Sequence, residues 1–218
     1  MSIIIICPGI HAPELTESFI RGLLNLAPSD LMTLDILNAE KILVFPGQGI
    51  LALSAFHILQ FLCDRTNLSV RLQQTKDDLW HDKLKSPVIF ISYSAGVVGA
   101  IIAATKWQML GGTVKAFIAI DGWGVPLWGN FPIHRMSHDY FTHWSSAILG
   151  TGEDNFYAEP AVDHLSMWHS PQTVQGKWVD RSIGLSLPQN YLNAAEFLHL
   201  LLKSYEEKSP DDKVSNQE

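Results

Sequence analysis

Residues 88–104 read VIFISYSAGVVGAIIAA, and this stretch decides the fold. It begins with a continuous apolar run over 88–92, rich in β-branched residues, which is typical of a strand buried on both faces of a parallel sheet. It ends in small and aliphatic residues over about 95–110, which predict a helix that packs closely on that sheet. The sequence therefore predicts a strand, a sharp turn at Ser94 and a helix, in that order.

Three further apolar runs of the same kind lie on either side of this stretch. None of them alternates apolar with polar residues, and segments with helical character separate them. The predicted strands cover 3–7, 42–45, 88–92 and 114–120, and the predicted helices cover about 14–27, 52–65 and 95–110. This alternation predicts an α/β fold with a doubly wound, mostly parallel sheet of about six strands and helices on both faces.

The length of 218 residues suits one domain, which we place at 1–206, followed by a polar, flexible tail at 207–218. A final helix is predicted over about 189–206. The segment 122–160 is rich in Trp, Phe, His, Gly and Pro and is interpreted as a cap or a loop-rich insertion. The remaining assignments are a surface excursion at 66–87 and two candidate strands, SSAIL at 145–149 and NFYAEP at 155–160.

The composition narrows the classes of function. The net charge of −7 argues against a nucleic-acid-binding protein, which needs a basic face. We find no signal peptide and no apolar run near the roughly 20 residues that cross a bilayer. Cys7 and Cys63 each lie in an apolar run and are interpreted as reduced core thiols. We therefore expect a cytoplasmic protein that acts on a small molecule, without a transmembrane segment and with its oligomeric state open.

Ser94 lies at the centre of a nucleophile-elbow pattern. The residues two before and two after it, Ser92 and Gly96, are small, as a strained turn between strand and helix requires. The following helix would direct its first N–H groups toward this serine, where they could stabilise an oxyanion. Ser92 replaces the glycine that usually opens the pattern, so a plain strand-to-helix turn with small packing residues is the alternative.

A nucleophilic serine needs a base and a residue that orients the base. Asp121 directly follows the predicted strand 114–120, at the edge where doubly wound sheets place their sites. Its alternative role is to begin a turn before Gly122. Three other acids remain candidates for the same role: Asp139, Asp154 and Asp163.

The predicted base is His164, which lies on a loop that enters an apolar segment late in the chain. This position agrees with the chain order of serine, acid and histidine in this type of fold. His169 is the main rival, and His199 is assigned to the final helix.

The stretch 134–143 is rich in histidine, and a helix would bring His134 and His138 to one face, as in zinc proteases. Arg135 stands where such motifs have glutamate, and a cation beside a ligand opposes metal binding. We therefore predict no metal here, interpret these histidines as loop and pocket residues, and expect no cofactor.

Taken together, the residues resemble the α/β-hydrolase superfamily, in a minimal version without the N-terminal hairpin. The resemblance rests on the strand and loop IIIICPGIH, on VFPGQG and on ISYSAG, and it covers about 3–170. It implies that the N–H groups of Ile10 and Ala95 form the oxyanion hole. Residues beside these motifs are expected to contact the substrate: Gly9, His11, Gln48, Tyr93 and Trp123.

The expected reaction is hydrolysis of an ester or thioester with an apolar acyl group, through an acyl-enzyme on Ser94. Two alternatives remain open at this point. FPGQG at 45–49 also opens the signature of acyltransferases that load carrier proteins, although those enzymes carry it after their first strand. The fold also serves as a non-catalytic binding module when the triad is lost.

Overall fold

The computed structural model describes residues 2–24, 42–68, 86–150, 152–180 and 191–207. Its centre is one mixed sheet of eight strands in the order β2-β1-β3-β4-β5-β6-β7-β8. The strands are β1 (Ile3–Cys7), β2 (Ile42–Val44), β3 (Val88–Tyr93), β4 (Val114–Ile120), β5 (Ile133–Ser137), β6 (Asp154–Ala158), β7 (Gln175–Asp180) and β8 (Tyr191–Asn193). The prediction of an α/β fold with a mostly parallel sheet is confirmed, and the prediction of about six strands is wrong.

The four strands predicted from apolar runs are present and form the parallel core of the sheet. β3 lies between β1 and β4, with Cys7 opposite Ser92 and Tyr93 opposite Ile120. All six residues of β3 are buried, because helices cover both of its faces. The chain first adds β2 beside β1 and then returns to add β3 on the other side of β1. The carboxyl ends of β1 and β3 therefore form the topological switch point, where doubly wound folds bind their ligands.

The second half of the sheet is built differently. β5 and β6 continue the parallel order, whereas β7 and β8 pair antiparallel at the edge. These strands carry buried polar side chains at His134, Arg135 and Asn155. Arg135 donates to the carbonyl oxygens of the 122–150 segment instead of pairing with an acid, and burial lowers its pKa to about 10. Long-range hydrogen bonds thus hold strands that lack a continuous apolar run.

The helices are α1 (Pro13–Leu24), α2 (Ala55–Leu68), α3 (Gly96–Met109), α4 (Tyr140–Ala147), the single turn α5 (Ser166–His169) and α6 (Ala194–Glu207). α1, α2, α3 and α6 correspond to the four predicted helices, with a 3-10 turn at Gly49–Leu53 before α2. The final helix begins later than predicted, because β8 occupies the residues before Ala194. Ala195, Leu198 and Leu202 are buried on its inner face, whereas Tyr191 is exposed and lies outside the helix.

Two apolar clusters lie on opposite faces of the sheet. Along β1, Ile4 and Ile6 belong to the cluster that α1, α5 and α6 cover, whereas Ile5 belongs to the cluster that α2 and α3 cover. Successive side chains of a strand point to opposite faces, so β1, β3 and β4 each supply both clusters. The result is a three-layer arrangement with helices on both faces.

The segment 122–160 was interpreted as a cap or a loop-rich insertion, and the structure corrects this. It contains β5, α4 and β6, so it contributes two strands to the sheet itself. NFYAEP at 155–160 largely coincides with β6, which confirms that candidate strand. SSAIL at 145–149 is not a strand, because it forms the end of α4 and the turn after it.

Several predictions fall on parts of the chain outside the described residues. These are most of the surface excursion at 66–87, the ends of the first and last predicted helices, and the tail after Glu207. Within the described part of the chain, each helix is too short or too polar to cross a bilayer. Cys7 is a buried free thiol, and Cys63 is half-buried.

Candidate active site

The candidate active site lies at the carboxyl edge of the parallel strands. Ser94 follows β3, Asp121 follows β4, and His164 lies on the loop between β6 and α5. The loop after β1 faces the same point, since a Cβ atom built on Gly9 would lie 3.0 Å from the Ser94 Cβ atom. Four separate strand ends therefore converge on one serine.

Ser94 occupies a left-handed backbone conformation with φ of 51°, which a non-glycine residue adopts only at an energetic cost. Its N–H donates to the Ile120 carbonyl at 2.9 Å, which fixes the turn to β4. Gly96 must be small because any Cβ there would collide with the Pro8 and Cys7 carbonyls. Ser92, which replaces the usual glycine, fits because its buried hydroxyl donates to the Ile118 carbonyl at 3.3 Å.

Three side chains form one hydrogen-bonded line. The His164 Nε2 atom lies 3.0 Å from Ser94 Oγ, and the His164 Nδ1 atom lies 3.0 Å from Asp121 Oδ2. The carboxylate can only accept, so Nδ1 carries the proton and Nε2 accepts from the Ser94 hydroxyl. The Asp121 side chain is 1% exposed and the His164 side chain is 42% exposed. The line thus begins in the interior and opens to solvent at its reactive end.

Asp121 is held as firmly as Ser94. It also has a φ of 51°, and its N–H donates to the Met136 carbonyl at 2.8 Å. Its Oδ1 atom accepts from the backbone N–H of His138 at 2.8 Å and faces the His138 Nδ1 atom at 3.1 Å. Each of the two carboxylate oxygens is therefore bound to a different histidine.

The His164 ring packs against a stack of aromatic rings. The Tyr93 ring lies 5.0 Å from the His164 ring and 4.7 Å from the Trp168 ring, both nearly parallel to it. The Tyr93 hydroxyl donates to the His164 carbonyl at 2.9 Å. Burial, and then the charge of Asp121, raise the pKa of Tyr93. Tyr93, predicted to contact substrate, is 1% exposed and lies beneath the histidine, a position that fits support of the His164 ring better than contact with substrate.

The predicted oxyanion donors lie beside the serine. Ala95 directly precedes α3, and Ile10 belongs to the loop after β1 that packs on the Ser94 turn. Within the described residues, neither backbone N–H donates a hydrogen bond. Both donors therefore remain available to a bound group, as an oxyanion hole requires.

A groove of about 370 Å³ lies between α1 and the loop after β2, and its wall approaches Ser94 at Gly9. Three residues predicted to contact substrate line it, namely Gly9, His11 and Gln48. The other lining residues are Pro8, Pro13, Thr16, Glu17, Ile20, Val44, Phe45, Pro46 and Gly47. The FPGQG stretch thus forms one wall of the groove, with Phe45 buried and Gln48 exposed.

Trp123, also predicted to contact substrate, is 62% exposed on the loop after Asp121. Its indole N–H donates to the Ser145 hydroxyl at 3.0 Å, which attaches that loop to α4. It lies outside the residues that line the groove. Its position therefore fits the rim of the site better than the groove itself.

The competing acids and bases lie elsewhere or have other partners. Asp139 caps α4 by accepting from the Thr142 N–H, and Asp154 accepts from the Trp178 indole near the amino end of β6. His169 is exposed and bonds to its neighbour Ser170. Asp163 and His169 line a second hollow, of about 520 Å³, which His164 also lines. His199 is part of α6, as predicted.

The contact between His138 and Asp121 is the functional feature that sequence reasoning missed. The stretch 134–143 was interpreted as loop and pocket, whereas His134 to Ser137 belong to β5. His138 directly follows β5, and Asp121 directly follows the neighbouring strand β4. A histidine in that position would predict the contact, because both side chains then lie at the same edge of the sheet. Its hydrogen bond to Asp121 raises the pKa of His138 against the opposing effect of burial.

The two histidines considered as zinc ligands are separated by the strand. His134 lies at the amino end of β5 and His138 after its carboxyl end, a span of roughly 13 Å. Asp121, His138 and His164 do offer ligand atoms within 4.8 Å of one another. Both histidines already use Nδ1 for Asp121, so a cation bound there would replace the hydrogen bonds of the candidate triad.

The sequence matches no protein-family model and no curated protein.

Proposed function

We propose that this protein is a serine hydrolase of α/β-hydrolase type that cleaves esters or thioesters through an acyl-enzyme. The observation that carries the proposal is the line from Ser94 to His164 to Asp121, with both contacts at 3.0 Å. Hydrogen-bonded histidine and serine side chains are common, but this pair lies at a strained strand-to-helix turn that opens to solvent. That combination favours a nucleophile over a packing serine.

In the proposed reaction, Ser94 Oγ attacks the substrate carbonyl carbon while His164 Nε2 takes the hydroxyl proton. Asp121 keeps the imidazole in the correct tautomer and stabilises the imidazolium that forms. The N–H groups of Ala95 and Ile10 hold the oxyanion, and loss of one such donor costs about 3–4 kcal/mol in other hydrolases. The imidazolium then protonates the leaving group, and water activated by His164 releases the acid.

The groove supports an apolar acyl group as the substrate. Six of the twelve residues that line it are aliphatic, aromatic or proline, and the wall reaches Gly9 directly beside Ser94. Among the described residues that line it, Glu17 is the one acid, and lysine and arginine are absent. A wall of this kind binds a neutral acyl chain better than an anionic one.

The same charge pattern disfavours acyl transfer from coenzyme A, whose phosphates need cationic partners. FPGQG acts here as a groove wall after the second strand, which is not its position in carrier acyltransferases. The non-catalytic alternative is disfavoured by the intact hydrogen bonds of Ser94, His164 and Asp121. Hydrolysis therefore remains the better-supported proposal.

A series of p-nitrophenyl esters with acyl chains from two to twelve carbons tests the proposal. We expect hydrolysis by the wild type and a loss of at least about a thousandfold in Ser94→Ala, since the nucleophile is removed. Ser204→Ala is the matched control, because among the described residues that hydroxyl bonds to the carbonyl of Leu201 in its own helix. Equal rates in Ser94→Ala and wild type would overturn the proposal. Faster transfer to an added thiol than to water would favour the acyltransferase.

A further inference from the structure

The carboxylate of Asp121 faces two imidazoles, of which the proposed mechanism uses one. Resting on that mechanism, we propose that His138 is a positioning residue that holds Asp121 in line with His164 and, when protonated, shares the carboxylate charge with it. His138 contacts Asp121 and is not among the described residues that line the groove, so it acts through Asp121.

The geometry of the contact supports the positioning role. Oδ1 of Asp121 accepts from the His138 backbone N–H at 2.8 Å and from its ring Nδ1 at 3.1 Å. Two donors on one oxygen fix the plane of the carboxylate. The second oxygen is thereby directed at His164 Nδ1, 3.0 Å away. Without the ring, the single backbone donor would leave the carboxylate free to rotate.

The surroundings of His138 favour its cationic form. Asp121 binds one ring nitrogen, and Asp139 Oδ2 lies 3.5 Å from the other. Asp139 is itself fixed, because it caps α4 through the Thr142 N–H at 2.6 Å. Asp163, on the loop that carries His164, adds a third negative charge. The hydrogen bond to Asp121, and then these charges, raise the pKa of His138 although burial opposes the shift.

The positive charge of His138 has a direct consequence for the base. The two rings lie 5.8 Å apart and share one carboxylate, so a proton on His138 disfavours a proton on His164. Removal of the His138 charge should therefore move the acidic limb of the kcat/KM profile toward higher pH.

Three variants distinguish the positioning role of the His138 ring from the effect of its charge. His138→Asn keeps an N–H donor near the place of Nδ1 but cannot be protonated. His138→Ala removes the donor as well. Asp139→Asn keeps the acceptor that caps α4 but removes the charge next to Nε2. All three leave Ser94, Asp121 and His164 in place.

We expect His138→Ala to lower kcat about tenfold with KM within twofold, and His138→Asn to recover most of that loss. In His138→Asn the acidic limb should move up by roughly half a pH unit, the size expected for one charge near 6 Å in a wet site. An acidic limb that stays in place, or an unchanged kcat in His138→Ala, would overturn the role of His138 while the proposed hydrolase stands.

Imidazole NMR on Ser94→Ala makes the test independent of hydrolysis. The titration midpoint of His138 should fall in Asp139→Asn, and its Nδ1 proton signal should be lost in Asp121→Asn. Unchanged NMR behaviour in both variants would overturn the inference even if the wild type proves active. A wild type inactive on every ester, with the NMR changes present, would sink the proposed function and leave the coupling of His138 to Asp121 intact.

Discussion

The two ends of β5 carry two histidine clusters with similar partners and different surroundings. At the amino end, His134 Nε2 lies 2.7 Å from the Tyr205 hydroxyl, and His134 Nδ1 lies 3.0 Å from the Asp154 carbonyl. At the carboxyl end, His164 connects a serine hydroxyl and an aspartate at nearly the same distances. Both clusters consist of an imidazole between a hydroxyl and an oxygen acceptor.

The two clusters differ in their access to solvent and in their backbone geometry. His134 is fully buried, and burial raises the pKa of its partner Tyr205. The cluster at the carboxyl end opens to solvent through His164, and two of its members have positive φ values. It also lies beside two unengaged N–H groups and a groove. The proposed catalytic role of the carboxyl-end cluster therefore rests on strain, solvent access and the two N–H donors together, and not on the histidine–hydroxyl contact alone.

The largest difference between the two ends of β5 should appear in the rate of ester hydrolysis when a carboxylate at one end or the other is replaced by an amide. Asp121→Asn should lower kcat by roughly 10³–10⁴, because the amide no longer fixes the tautomer of His164 or stabilises its cation. Ester hydrolysis under saturating substrate measures this. The matched control is Asp154→Asn at the amino end, which should keep kcat within a few fold. Similar losses in both variants would remove the functional distinction between the clusters.

A smaller effect, on stability, is expected at the amino end. Tyr205→Phe removes the hydroxyl that bonds to the buried His134 Nε2 atom, at a cost of about 1–3 kcal/mol in the free energy of unfolding. Urea unfolding measures the change, and kcat per folded molecule should stay constant. A stable variant with reduced kcat would instead connect the amino-end cluster to the chemistry.

The smallest effect is the dependence of stability on pH that His138 contributes. Its pKa is raised above the ordinary value of 6.5, so the folded state binds this proton more tightly than the unfolded state. The resulting stabilisation is complete below about 6.5 and is lost as the pH rises through the higher pKa of the folded state. Unfolding of His138→Asn should lack this decline. Parallel stability curves for wild type and variant would contradict the charge assigned to His138.

The sequence predicted the half of the fold that local patterns determine. β1 to β4 are continuous apolar runs, and burial on both faces makes such runs readable. β5 to β8 are short and carry buried polar groups, such as Arg135 held by three carbonyl oxygens. Such contacts are not visible in a local pattern, so β5, β7 and β8 were not predicted, and β6 was predicted only as the candidate strand NFYAEP.

The candidate site also has a part that local patterns predict and a part that depends on contacts between separate strands. Ser94 and Asp121 each follow a predicted strand, and that placement suffices to bring them to one edge of the sheet. The contact of His138 with Asp121 depends on β5, which was not predicted, and so it was missed. Tyr93 was assigned to the substrate because it neighbours Ser94, yet alternation along β3 turns its ring under His164.

The central claim is that Ser94 is an activated nucleophile, and a fluorophosphonate probe tests it most directly. The wild type should gain the mass of one phosphonyl group, and peptide mapping should locate that group on Ser94. Ser94→Ala should gain nothing, and Ser204→Ala should react like the wild type. A wild type that does not react, or an adduct that persists in Ser94→Ala, would contradict the account.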